Sequence, residues 1–302
     1  MNIILINYKI AAKVKGLGAV DSDLYSCVSN SEFFFIPSSE QGNMFVSKSY
    51  VPSSTGTVVT IVPPYGRTVH DSFLITTHLL VNGFGVIRFD CRNHVGLSTG
   101  DIEYYTMSSI EMYLMDILKA DFIEPSKPLI VMGTSLSAPV AWKIASKVPN
   151  ISGVVTLAGA VDIVSTTEKA REISVAPYLD PILEEDNYYQ DIPGFRIVIQ
   201  FFIDDLVGYK YTSSMDIKDY VSKALCPVYI ILASDDSWLS LDQVKQLIDL
   251  NQNNKALRVL ENSDHELGKR AVIAKKFLEI WMELLYCAYK NYQSIHFRIR
   301  KV

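Results

Sequence analysis

The chain is poor in cysteine, with four in 302 residues, and Cys27, Cys91, Cys226 and Cys287 stand far apart with no C-x-x-C pair. That excludes a disulfide framework and a cysteine zinc site, and it fits reduced thiols in the cytoplasm. A basic excess is missing too: 28 Lys and Arg against 33 Asp and Glu give a net charge of −5. The isoelectric point near 5.6 argues against a nucleic-acid partner, which a cationic surface would have to attract. No apolar run reaches the roughly 18 residues of a membrane span, and the opening MNIILINYKIAAKVKG has no basic segment of the kind that begins a signal peptide. Histidine is scarce as well, at five residues, which keeps the search for a general base short. Apolar residues make up 49% of the chain, enough for a substantial core.

Short apolar runs alternate with helix-length segments from residue 58 onward. The runs at 58–62, 86–90, 129–133, 154–158, 228–233 and 257–260 predict buried strands, and the segments 70–82, 107–119, 137–147, 240–251 and 268–290 predict helices. This alternation implies an α/β fold: a mostly parallel sheet with helices on both faces. Residues 1–56 read as hairpins at a sheet edge. Residues 160–225 interrupt the rhythm with amphipathic pieces and an acidic, proline-containing stretch, which predicts a helical lid inserted within one domain spanning 1–302. The basic end HFRIRKV reads as a solvated tail, with docking of an acidic carrier protein as the alternative.

The most informative stretch is PLIVMGTSLSAPVAWKI, at 128–144. It reads as strand, sharp turn and helix with Ser135 at the apex, the layout of the nucleophile elbow written G-x-S-x-G. The strained turn needs small residues two before and two after the serine; Gly133 meets the first need, and Ser137 stands where glycine is usual. A serine hydroxyl becomes a useful nucleophile when a histidine takes its proton and an acid orients that histidine. In this fold the chain order is serine, acid, histidine. His265 lies after the strand at 257–260 and before the last helix, and it follows Ser135. His94 is its rival, in a loop after a strand but ahead of the serine; His70 and His78 fall in the first predicted helix, and His296 in the basic end. For the acid, Asp236 and Asp235 both follow the strand at 228–233, with Asp236 preferred and Asp235 as the alternative. The backbone N–H of Leu136 and that of Tyr65, in the PPYGRT loop after the first strand, are the expected donors to an oxyanion. Gly66, Phe201 and Phe202 are candidates for contact with an acyl group, although the aromatic residues of 195–209 fit a plain lid core equally well. The loop from Asp90 to Ser98 reads as a brace for the sheet edge near the site. This chemistry calls for no metal and no cofactor.

The Ser135-Leu136-Ser137-Ala138 elbow, the segment Gly83-Phe84 through Arg88, Asp90 and His94-Val95-Gly96-Leu97-Ser98, the pair Thr106-Met107, the segments Thr167–Ala170 and Tyr178-Leu179, and the loops holding Asp236, Trp238, Ser263, His265, Leu267 and Gly268 occur in order over 58–282. In these features the chain resembles the acyltransferase subunit of the bacterial bioluminescence fatty-acid reductase complex. The resemblance implies an α/β-hydrolase fold and a thioesterase that releases a fatty acid from acyl carrier protein. It also implies Ser135, Asp236 and His265 in the catalytic roles, and reductase or synthetase partners. The oxyanion loop departs from that family's Gly-Phe-Ala-Arg-Arg, reading Pro64-Tyr65-Gly66-Arg67-Thr68 here, and Pro139 replaces an arginine. A thioesterase serving another fatty-acyl or polyketide pathway, with acyl-CoA or a carrier protein as donor, and a carboxylesterase or lipase-like hydrolase of oxygen esters both remain compatible with these residues; a non-catalytic binding protein on the same fold is the further alternative, against which the complete Ser135, Asp236 and His265 set argues.

Overall fold

A computed structural model of the protein describes residues 31–39, 42–50, 56–172, 174–179, 189–192, 194–253, 255–265 and 271–299. Eight strands form one sheet in the order β1-β2-β4-β3-β5-β6-β9-β10. They are β1 Ser31–Pro37, β2 Asn43–Ser49, β3 Val58–Ile61, β4 Gly85–Phe89, β5 Leu129–Thr134, β6 Ile151–Leu157, β9 Val228–Ala233 and β10 Lys255–Leu260. From β4 to β10 every neighbouring pair is parallel, while β1 and β2 add an antiparallel edge. The predicted edge hairpin is therefore present over 31–49, and its expected extension into residues 1–30 lies outside the described residues.

The uninterrupted apolar strands follow from burial on both faces. Side chains alternate across the sheet, so Val131, Val154, Ile230 and Leu232 enter one core, and Ile130, Met132, Val155, Tyr229 and Ile231 enter the other. The first core is closed by α2 Met107–Lys119, α3 Ser137–Ala145 and α7 Leu241–Asp249, the second by α1 Phe73–Val81 and α8 Ala271–Ile299. Local chemistry sets several helix starts: the side chains of Thr106 and Ser240 accept from backbone N–H groups in the first turn. The helix expected over 70–82 begins at Phe73, so His70 sits in the preceding turn and only His78 is on the helix. The last helix runs to Ile299, well past 290 and into the segment expected to be a tail; Leu267 and Gly268 lie outside the described residues.

The segment between β6 and β9 is not wholly helical. It holds α4 Ile163–Arg171, α5 Ile199–Gly208 and α6 Ser214–Lys223, together with an antiparallel hairpin of β7 Tyr189–Ile192 and β8 Phe195–Val198. The hairpin adds two strands to the helical insertion expected from the sequence. Arg196–Val198 leads into Ile199 with no capping side chain, so strand and helix merge into one apolar stretch of sequence. Buried polar links fasten this segment to the rest of the fold. Asp205 on α5 accepts from the N–H groups of Met107 (2.8 Å) and Ser108 (3.1 Å) at the start of α2, where a carboxylate complements the helix dipole. Glu111 on α2 pairs with Lys143 of α3 and with Lys147 in the turn that follows it, each at 2.7 Å, and accepts from the Tyr211 hydroxyl at 2.9 Å. The Lys143 ammonium also lies 4.2 Å from the Tyr211 ring centre. Among the described residues, no helix is long and apolar enough to cross a membrane.

Candidate active site

Ser135 sits between the end of β5 and the start of α3 with φ at +52°, a left-handed conformation that costs a non-glycine residue on the order of 1–3 kcal/mol and persists where neighbours over-determine it. Here they do. The Ser135 N–H donates to the Leu157 carbonyl (2.9 Å), and its own carbonyl accepts from Ala138 and Ala160, both at 3.2 Å. A methyl group on Gly133 would come within 2.7 Å of the Ser137 carbonyl oxygen, so the small residue two before the apex is a steric requirement. Ser137 is fully buried. Its hydroxyl accepts from the Thr134 N–H at 2.8 Å, and the carbonyls of Thr134 (2.9 Å) and Val62 (3.3 Å) are within reach of its proton. A serine in the usual glycine place thus ties the elbow to itself and to the end of β3.

His265 follows β10, and its Nε2 lies 2.9 Å from the Ser135 Oγ. Its Nδ1 lies 2.7 Å from the Asp236 Oδ2. The other oxygen of Asp236 accepts from the N–H groups of Trp238 (2.9 Å) and Leu239 (3.1 Å), and this carboxylate is only 2% exposed. The Trp238 ring packs on the imidazole with centres 4.3 Å apart. Asp235 turns the other way: its carboxylate accepts from the Ser234 hydroxyl. Its N–H donates to the Ser263 carbonyl at 2.9 Å, and the Asn262 N–H donates to the Ser234 hydroxyl, also at 2.9 Å. The loops after β9 and β10 are stitched together in this way, which holds carboxylate and imidazole in register. Of the two aspartates, Asp236 is the one that meets His265. The arrangement can take the serine proton onto Nε2 while the carboxylate keeps the other proton on Nδ1.

Leu136 precedes the first turn of α3, where helical pairing leaves the amides free to bind an anion. Tyr65 lies in the turn after β3, closed by the Arg67 N–H on the Pro64 carbonyl at 3.1 Å, with Gly66 at φ +69°. Phe195 of β8 covers that turn. A Cβ on Gly66 would lie 2.6 Å from its ring, and the ring centre is 6.1 Å from that of Tyr65. The hairpin of the insertion therefore sits at the carboxyl end of the sheet, beside the loops of the site. Phe202 is buried against Tyr105, whereas Phe201 is 46% exposed beside Tyr104.

The loop from Asp90 to Ser98 does form a brace. Asp90 accepts from the N–H groups of Val69 (2.8 Å) and Leu97 (2.9 Å), and its carbonyl accepts from the Ser98 hydroxyl (2.6 Å). Burial raises the Asp90 pKa. From this loop the His94 ring reaches the turn that carries Tyr65, its Nε2 accepting from the Gly66 N–H at 3.0 Å. Sequence reasoning missed that contact. The available signal was topological, since β3 and β4 are parallel neighbours and the loops leaving them must lie side by side.

Sheet order and the strand–turn–helix elbow define the α/β-hydrolase fold class. Solved structures agree on the fold: DcsB in complex with its substrate analogue (TM-score 0.66, 12% identity, 86% of this chain and 99% of that one), Est1E from Butyrivibrio proteoclasticus with bound ferulic acid (0.63, 15%, 82% and 97%), and a monoacylglycerol lipase from Paleococcus ferrophilus (0.62, 16%, 81% and 99%). Within that class the chain belongs to the acyl transferase family, whose pattern residues 46–284 match. Its relatives include acyl transferases from Aliivibrio fischeri (29% identical over 233 residues, 77% of this chain and 74% of the relative) and from Shewanella woodyi (28% over 222 residues, 73% and 72%).

Proposed function

We propose that the protein moves a fatty-acyl group from a thioester, carried on acyl carrier protein or coenzyme A, through a covalent ester on Ser135. The observation that carries this reading is the 2.9 Å approach of the His265 Nε2 to the Ser135 Oγ, with Asp236 2.7 Å behind the ring. Membership of the acyl transferase family supports it. The Ser135 oxygen attacks the thioester carbonyl carbon as its proton passes to the His265 Nε2. The tetrahedral oxyanion accepts from the N–H groups of Leu136 and Tyr65, and Asp236 stabilises the imidazolium. The C–S bond then breaks and His265 returns the proton to the leaving thiolate. Water or another nucleophile, deprotonated by the same imidazole, takes the acyl group in the second half.

On this reading the chain is one domain, and the insertion between β6 and β9 is a lid over the site. The acyl chain runs past Gly66 toward the aromatic residues around Phe201 and Phe202. Three unpaired thiols, Cys91, Cys226 and Cys287, support a reducing cytoplasmic setting. Relatives from luminous bacteria support reductase or synthetase partners that consume the released acyl group. The test compares Ser135 acylation by acyl-carrier-protein and acyl-CoA thioesters with acylation by p-nitrophenyl esters of matched chain length. Faster acylation from a thioester is expected; a preference for the oxygen esters would make the protein a carboxylesterase.

A further inference from the structure

The turn that carries Tyr65 is held at one of its amides by a side chain from the neighbouring loop. With Gly66 at φ +69° and the Arg67 N–H on the Pro64 carbonyl, it has the geometry in which a glycine at the third position is required. The Gly66 N–H belongs to the Tyr65–Gly66 peptide and the Tyr65 N–H to the rigid peptide before it, so holding the first restricts the φ and ψ of Tyr65 and through them the direction of the second. One side-chain contact holds the Tyr65–Gly66 peptide: the Gly66 N–H donates to the His94 Nε2 at 3.0 Å. The imidazole is itself fixed. It is 4% exposed, it packs with ring centres 6.1 Å from Tyr65 and 5.6 Å from Tyr105, and its loop is closed by Asp90 on Val69 and Leu97. Burial holds its pKa down at about 4, so at neutral pH the ring is uncharged. Because Nε2 accepts, its single proton is on Nδ1.

We propose that His94 is a positioning residue for acyl transfer: by accepting the Gly66 N–H it fixes the oxyanion turn and aims the Tyr65 N–H at the developing negative charge. The proposal rests on the reading of Ser135 and Tyr65 given above. A residue that only supports the fold would alter stability, or kcat and KM alike. One that fixes an oxyanion donor acts in the transition state, where charge develops, and leaves the bound ground state nearly unchanged.

The experiment compares H94L, which fills the space without an acceptor, with H94Q, whose carboxamide oxygen reaches the Nε2 position. Losing a direct oxyanion donor costs about 100–1000-fold in kcat, so misaiming one is expected to cost about 10–100-fold in H94L with KM within about 3-fold. The affinity for an alkylboronic acid, which forms a tetrahedral adduct on the serine, is expected to fall by a similar factor. H94Q is expected to recover both to within about 3-fold of the unaltered protein. Unchanged kcat and boronate affinity in H94L overturn the proposal. If H94L does not fold, nitrogen NMR of the unaltered protein decides. A His94 ring protonated on Nδ1, with a Gly66 amide resonance that moves when boronate binds, supports the proposal, and protonation on Nε2 overturns it. S135A is run alongside: if it turns over thioester as fast as the parent, the failure belongs to the nucleophile assignment and not to His94.

Discussion

Replacing Asp236 by asparagine probes the hydrogen-bond logic of the site in one atom. The carboxylate serves two sides at once, with one oxygen accepting from the Trp238 and Leu239 N–H groups and the other facing the His265 Nδ1 at 2.7 Å. A carboxamide has one oxygen and one NH2. If the oxygen stays on the two backbone donors, the NH2 faces Nδ1 and drives the ring proton onto Nε2, where it blocks acceptance from Ser135. If the amide turns over, a donor opposes two half-buried N–H groups, at a cost of about 1 kcal/mol or more for each left unpaired. The first arrangement therefore wins, with an intact fold and the wrong tautomer. A change of this kind lowers kcat by about 10,000-fold, or roughly 5 kcal/mol. The assay is single-turnover acylation by an acyl thioester, with circular dichroism as the fold control. D235N is the matched comparison. Asp235 contacts the Ser234 hydroxyl, so that variant is expected to stay within about 3-fold of the parent. An active D236N, or a D235N as impaired as D236N, refutes the reasoning.

Three further outcomes follow from the buried polar groups. S137A leaves the Thr134 N–H without its 2.8 Å partner and frees the tie to Val62, so urea unfolding is expected to show a loss of about 1–2 kcal/mol. K143M removes one of the two lysines on Glu111 and is expected to cost about 3–5 kcal/mol by the same measurement. Although burial alone would raise the Glu111 pKa, hydrogen bonds from Lys143 and Lys147 hold it below the usual value. Glu111 therefore contributes stability above its unfolded pKa, lost as pH falls through the folded one, and K143M is expected to weaken that dependence. His94 titrates in the opposite manner to a paired histidine. The unfolded chain binds its proton near 6.5, while the folded ring resists until about 4. Stability from this residue is thus constant above about pH 6.5 and falls by up to about 3 kcal/mol as pH drops to about 4. Urea titrations of H94Q and the parent at several pH values are expected to differ by that slope.

Much of this was legible in the sequence, for identifiable reasons. Strands buried on both faces must be continuous apolar runs, and β9 spans Val228–Ala233 as read. The elbow was legible because its backbone tolerates only small neighbours, and His265 because so few histidines compete. The hairpin of β7 and β8 was not, since Val198 passes into α5 with no capping side chain to mark the change. Asp235 and Asp236 are adjacent in one turn, and only the stitched loops after β9 and β10 decide which carboxylate faces the imidazole. The His94 contact to Gly66 spans 28 residues and depends on the adjacency of β3 and β4. The bracing role of its loop was readable; the particular amide it holds was not.

Passage of the acyl group through the Ser135 hydroxyl leaves a covalent ester that can be weighed. Intact-mass spectrometry after rapid mixing with acyl thioesters of graded chain length tests it most directly. A mass increase of one acyl group is expected in the parent, located by peptide mapping on Ser135 and absent from S135A. Equal acylation of S135A, or an acyl group mapped to another residue, would contradict it.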